Sequence, residues 1–187
     1  MRTSLAAALA FALAACEELP PERDSRQIDV EDAFIGWVNH LVKGNADAAY
    51  RGLSEANKSN WLFDLLRRGD RTANAWLRKL EGRTRTDVDL WFNYFKDKKD
   101  NRVEKLPTSL LDHPTVLDLW RTTFEEQKEA VRIQMSNIQI SEVFAEAAAA
   151  SIVVRNIQGK TEMYQMIFER AGWKIDHHRQ SVQEVPR

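Results

Sequence analysis

The sequence predicts an α+β fold in which N-terminal helices pack on a C-terminal antiparallel sheet, with a long helical segment in the middle. Three observations predict it. Apolar residues recur at three and four spacing from Val30 to Phe124; the period changes to two after Ala130; and glycine turns at Gln158-Gly159 and Ala171-Gly172 divide the last apolar runs.

The 187 residues suffice for one domain with a sizeable core, and six Trp and eight Phe supply material to fill it. Lys and Arg number 27 against 28 Asp and Glu, a near-neutral balance that argues against a nucleic-acid footprint over the whole domain. The one cysteine, Cys16, has no internal disulfide partner, so the fold must rest on packing.

Taken in order, the chain opens with Met1-Arg2-Thr3-Ser4 and then an unbroken apolar run, Leu5 to Ala15. The run falls short of the ~20 residues that span a bilayer and fits a targeting segment. It ends in Leu13-Ala14-Ala15-Cys16, a branched apolar residue, two small ones and a thiol. This box resembles the lipobox of bacterial lipoproteins. The resemblance implies a signal peptide over residues 1–15, cleavage before Cys16, and diacylglycerol on the Cys16 sulfur, usually with a third acyl chain on the new amino group. Two or three acyl chains give stable attachment where one gives only marginal binding. The rival reading is an ordinary secretory signal cut after Ala14, with Cys16 left as a free thiol. Glu17 stands where aspartate favours inner-membrane retention in enteric-type sorting, so the resemblance implies the outer membrane. Residues 16–27, charged and carrying Pro20-Pro21, read as a tether before one domain over residues 28–178 and a flexible tail over 179–187.

Asp29 is the expected N-cap of a first helix whose Val30, Ala33, Phe34, Trp37, Val38, Leu41 and Val42 share a stripe, with Gly44 closing it. Asn45 is expected to cap a short second helix with Ala48, Ala49 and Tyr50. From Ser59 to Lys128 the pattern predicts successive helices: Trp61 to Leu66 ending at Gly69, Thr72 to Gly82, one opened by Thr86 or Asp87, and one started by His113-Pro114. Val131, Ile133, Met135, Ile138 and Ile140 then alternate, with a slip at Ser136-Asn137 that suggests a bulge. Residues 147–157, 160–170 and 173–176 complete an antiparallel meander.

A helix, a short helix with Asn45-Ala46-Asp47-Ala48-Ala49-Tyr50, and a late bulged meander ending in Gly172-Trp173-Lys174-Ile175-Asp176 resemble the nuclear transport factor two-like, cystatin-like cone superfamily, above all its secreted lipoprotein members. The resemblance covers about residues 28–54 and 128–178; the long helical stretch between departs from the compact family pattern. It implies a pocket between sheet and helices. Strand parity then makes Tyr164, Met166 and Phe168, with Trp173 and Ile175, the candidate lining, or simply apolar filling.

The reactive inventory is thin. His40 lies off the apolar stripe, His113 precedes a proline at a helix start, and the adjacent His177 and His178 point to opposite faces of a strand, so no metal site and no cofactor is expected. A catalytic carboxylate in a cone-type isomerase or dehydratase would have to be Glu162 or Asp176, acting with Tyr164. Twelve Lys and Arg between Arg67 and Lys105, interleaved with Trp76, Trp91 and Tyr94, are balanced by seven acids and read as solvated faces. The expected function is thus a non-catalytic envelope lipoprotein, attached to the membrane through lipidated Cys16, that binds an envelope protein or a small apolar ligand and no nucleic acid.

Overall fold

The computed structural model describes residues 24–96, 106–170 and 172–180, with side chains through residue 177 in the last segment. The segments expected as signal peptide and tether up to residue 23, Cys16 among them, residues 97–105 of the charged run, Ala171 and the expected tail from residue 181 lie outside the described residues. Helices precede a four-stranded antiparallel sheet of order β1-β2-β3-β4. The chain is therefore α+β in the predicted sense, a helical layer packed on a C-terminal meander.

Helix α1 is Ser25–Val42, five residues longer at its start than expected. Asp24 and Gln27 form a capping box, each side chain bonding the other's backbone N–H, so Ser25 to Gln27 are helix rather than tether. Its buried face carries Val30, Phe34 and Leu41. Gly44, at φ 73°, turns the chain out of it in the left-handed region where glycine avoids a Cβ clash. Asn45 then caps α2, Ala46–Arg51, as expected.

The middle helices are α3 (Glu55–Arg67), α4 (Arg71–Lys79), α5 (Gly82–Lys96) and α6 (Thr108–Leu111). Their starts lie earlier than the sequence suggested. Ser54 caps α3 and Asp70 caps α4, and Gly82, expected as a stop, is the first residue of α5. The short α6 was not expected. The last helix, α7 (Pro114–Met135), opens on the His113 cap with Pro114 in its first turn, as the sequence indicated.

Helix α7 corrects the predicted onset of the sheet. Val131, Ile133 and Met135 are helical, and Val131 and Met135 face inward through i, i+4 spacing while Ile133 is exposed. Strand β1 is Gln139–Glu146 and β2 is Ala149–Arg155; the bulge falls between Ile140 and Glu142 instead of at Ser136-Asn137. Strand β3, Thr161–Glu169, pairs with β4, Gly172–Gln180, which runs two residues past the predicted end of the domain.

The inner face of the sheet presents Val143, Ala150, Ile152, Val154, Tyr164, Met166 and Ile175 to the helices. Helices α1 and α7 pack together, and α1 also touches β1 and β4. The outer edge of β4 is not left open. The Gly52 carbonyl accepts from Ile175 N at 2.9 Å and Ser54 N donates to the Ile175 carbonyl at 2.8 Å, which ties the α2–α3 turn to the sheet.

Candidate ligand-binding site

That turn brings α2, the start of α3 and the β3–β4 hairpin around a cavity of about 330 Å³. The Ser54 hydroxyl accepts from Asn57 N at 3.0 Å as helix cap and donates to Asp176 Oδ1 at 2.7 Å, so α3 is fixed to β4 by one buried side chain. One turn further along α3, Lys58 points into the cavity with its side chain 8% exposed. Around it stand Tyr50 and Arg51 from α2, Glu55 from α3, Asp112 after α6, Glu169 and Arg170 from the hairpin, and Lys174 from β4.

The charges are unequally committed. Arg121 takes Asp47 in two bonds of 2.7 and 2.8 Å, joining α7 to α2, and its hydrogen bonds hold the Asp47 carboxyl below the usual carboxylate range. Arg170, whose backbone sits at φ 49°, bonds Glu55 and lies 3.5 Å from Asp112. Glu55 also accepts from the Thr108 hydroxyl at 2.6 Å. Lys174 Nζ donates to the Arg51 carbonyl at 2.8 Å.

Lys58 has softer partners. Its Nζ is 3.8 Å from Asp112 Oδ1 and 4.6 Å from the centre of the Tyr50 ring. Burial pushes its ammonium below its ordinary range, and Asp112 restores only part of the loss. The Tyr50 hydroxyl is turned away, donating to the Leu111 carbonyl at 2.8 Å, and burial raises its pKa. A buried cation thus lines an open cavity with an aromatic face beneath it. Sequence reasoning missed Lys58, Asp112 and Arg170: nothing local in Asn57-Lys58-Ser59 separates a buried lysine from a solvated one.

The residues predicted as pocket lining part company. Tyr164 and Met166 are each 1% exposed and fill the core; the Tyr164 ring lies 5.0 Å from Phe34 and 5.9 Å from Trp37. Phe168 corrects the parity argument. It is 50% exposed because β3 runs on past the helical cover, and it meets half-buried Trp173 edge to face at 5.6 Å. Ile175 is buried as expected.

Of the two candidate carboxylates, Glu162 does lie with Tyr164. It is buried on the same strand face, accepts from Asn156 Nδ2 at 2.6 Å and takes a hydrogen bond from the Tyr164 hydroxyl, whose pKa is raised first by burial and then by this charge. Asp176 is elsewhere, bonded to Ser54. His113 serves as the α7 cap, its Nδ1 accepting from Thr115 N at 3.3 Å, and His177 is exposed on β4. Among the described residues no three His, Cys, Asp or Glu side chains are grouped to hold a metal ion, and no helix is long and apolar enough to cross a membrane. No protein-family model, no curated protein and no solved structure matches the chain.

Proposed function

We propose that this chain is a lipid-anchored lipoprotein of the bacterial cell envelope, resident at the outer membrane, whose domain binds a ligand or partner and does not transform it. The anchor reading is supported by Leu13-Ala14-Ala15-Cys16 following a short apolar run. The binding reading is carried by one observation, the buried Lys58 ammonium lining an open cavity. The fold is compatible with the cone superfamily, in which a helical layer and a curved sheet frame such cavities. The ligand character shifts from the apolar one expected from the strand residues toward an anionic one.

A second reading, a cone-type isomerase or dehydratase, is favoured by the buried contact between Glu162 and Tyr164. Against it, Glu162 is already held by Asn156, and Tyr164 is wedged between Phe34 and Trp37 with its hydroxyl 4.0 Å from the Met135 sulfur. Glu162 does line a cavity of about 590 Å³ between α7 and the β2–β3 turn, but its carboxyl is already committed to Asn156 and Tyr164.

Detergent phase partition of the expressed full chain tests the anchored reading. The wild type should enter the detergent phase and Cys16→Ser should leave it or accumulate as precursor. Equal partition of both would remove the anchor.

A further inference from the structure

The Lys58 cavity is lined by four cations, Arg51, Lys58, Arg170 and Lys174, and by four acids, Asp47, Glu55, Asp112 and Glu169, and Lys58 is the buried cation without a close acceptor. Asp47 belongs to Arg121, and Glu55 and Asp112 converge on Arg170. Lys58 offers three N–H donors and makes no hydrogen bond among the described residues, its nearest carboxylate oxygen being 3.8 Å away. Lys174 spends a bond on a neutral carbonyl, and Arg51 adds another cation to the wall. A buried ammonium left this way has lost its hydration without gaining an acceptor at bonding distance.

Resting on the ligand-binding reading above, we propose that this cavity binds a small monocarboxylate, with a carboxylate oxygen accepting from Lys58 Nζ and a short apolar body against Leu53 and Leu117. Three features select that class. The volume of about 330 Å³ is at the small end of the ~300–1,000 Å³ range of small-molecule pockets. Leu53 and Leu117 give part of the wall an apolar surface. Asp112 and Glu169 line the same cavity as Lys58, so a phosphate dianion would place its second charge near carboxylates, whereas a single negative charge is matched by the ammonium.

Proton linkage follows from the same geometry. Burial lowers the Lys58 pKa in the empty cavity, and a bound carboxylate would raise it again. Affinity should then fall about tenfold per pH unit above the Lys58 pKa of the empty cavity, until the pKa of the complex is reached.

The experiment is calorimetric titration of the full chain, extracted in detergent, with acetate, butyrate and inorganic phosphate. Butyrate should bind saturably and better than phosphate, at least tenfold more weakly to Lys58→Met at pH 7, and unchanged to the distant Lys79→Met. If Lys58→Met melts without cooperativity, Leu117→Trp replaces it, filling the cavity without removing the amine, with the same tenfold loss expected. Absence of saturable carboxylate binding, equal affinity in the cavity variant, or tighter binding of phosphate would each overturn the proposal. The two readings fail separately: an acylated Cys16 without carboxylate binding refutes this ligand alone, and an unacylated chain that binds butyrate refutes the anchor alone.

Discussion

Lys58 Nζ lies 4.6 Å from the centre of the Tyr50 ring, while the Tyr50 hydroxyl is committed to the Leu111 carbonyl at 2.8 Å. The ring thus offers its negative face to the ammonium and no hydrogen bond. That is weak compensation for a desolvated charge, and it has a consequence for stability.

Lys58→Met should leave the domain as stable as the wild type at pH 7, or more stable, because a buried charge exchanged for an apolar side chain of similar length is often neutral or favourable. The folded-state pKa of Lys58 is depressed below its ordinary 10.5, so the unfolded chain binds the proton more tightly. The penalty is complete below the folded pKa and is relieved as pH rises from there toward 10.5. Urea denaturation across that window should show wild type gaining on Lys58→Met as pH rises. A gap that widens in favour of Lys58→Met would contradict the burial argument.

Gly52→Ala should destabilise by about 1–3 kcal/mol through overpacking. A Cβ there would sit 2.5 Å from Trp37 Cδ1, and the Trp37 ring is pinned by its Nε1 donating to the Ala49 carbonyl at 3.1 Å. The same turn holds the edge of β4. A melting temperature unchanged by the substitution would show that the α1–α2 contact is looser than described.

Phe34→Ala should cost about 3–5 kcal/mol, as a fully buried ring removed from between Trp37 and Tyr164. Trp173→Ala should cost less, about 2–3 kcal/mol, since that ring is only half-buried against Phe168. Lys174→Ala loses one exposed bond and should stay within about 1 kcal/mol. Chemical denaturation midpoints in any other order would contradict the packing.

Tyr50 and Tyr164 should remain protonated in alkaline titration until the chain unfolds. Burial raises both above the ordinary 10.0, so the folded state holds these protons more tightly and stability falls once pH passes about 10. Absorbance near the phenolate band should therefore step up together with the loss of helix signal. Full ionisation of all tyrosines in a still-folded chain would refute their burial.

Features written in local backbone chemistry were legible in the sequence. Gly44, Asn45 and His113-Pro114 mark element ends because caps and left-handed turns are decided within a few residues. The Asp24 to Gln27 capping box carries the same kind of local signal, and it outcompetes Asp29 because both of its reciprocal bonds form. Val131, Ile133 and Met135 misled because i and i+4 fit both periods; only Ile133, exposed on α7, shows that the alternation was accidental. Phe168 shows that parity fixes a side, not burial, near the end of a strand. The cavity was illegible for another reason. Lys58, Asp112 and Arg170 come from three distant segments, and their meeting depends on Ser54 and Ile175 joining α3 to the sheet, a contact without a sequence pattern.

Intact mass spectrometry of the chain extracted from membranes tests the lipoprotein reading most directly. The predicted mass is that of residues 16–187 with diacylglycerol on the Cys16 sulfur and, in the mature form, an acyl group on its amino nitrogen. A chain that carries Cys16 as an unmodified thiol would contradict it.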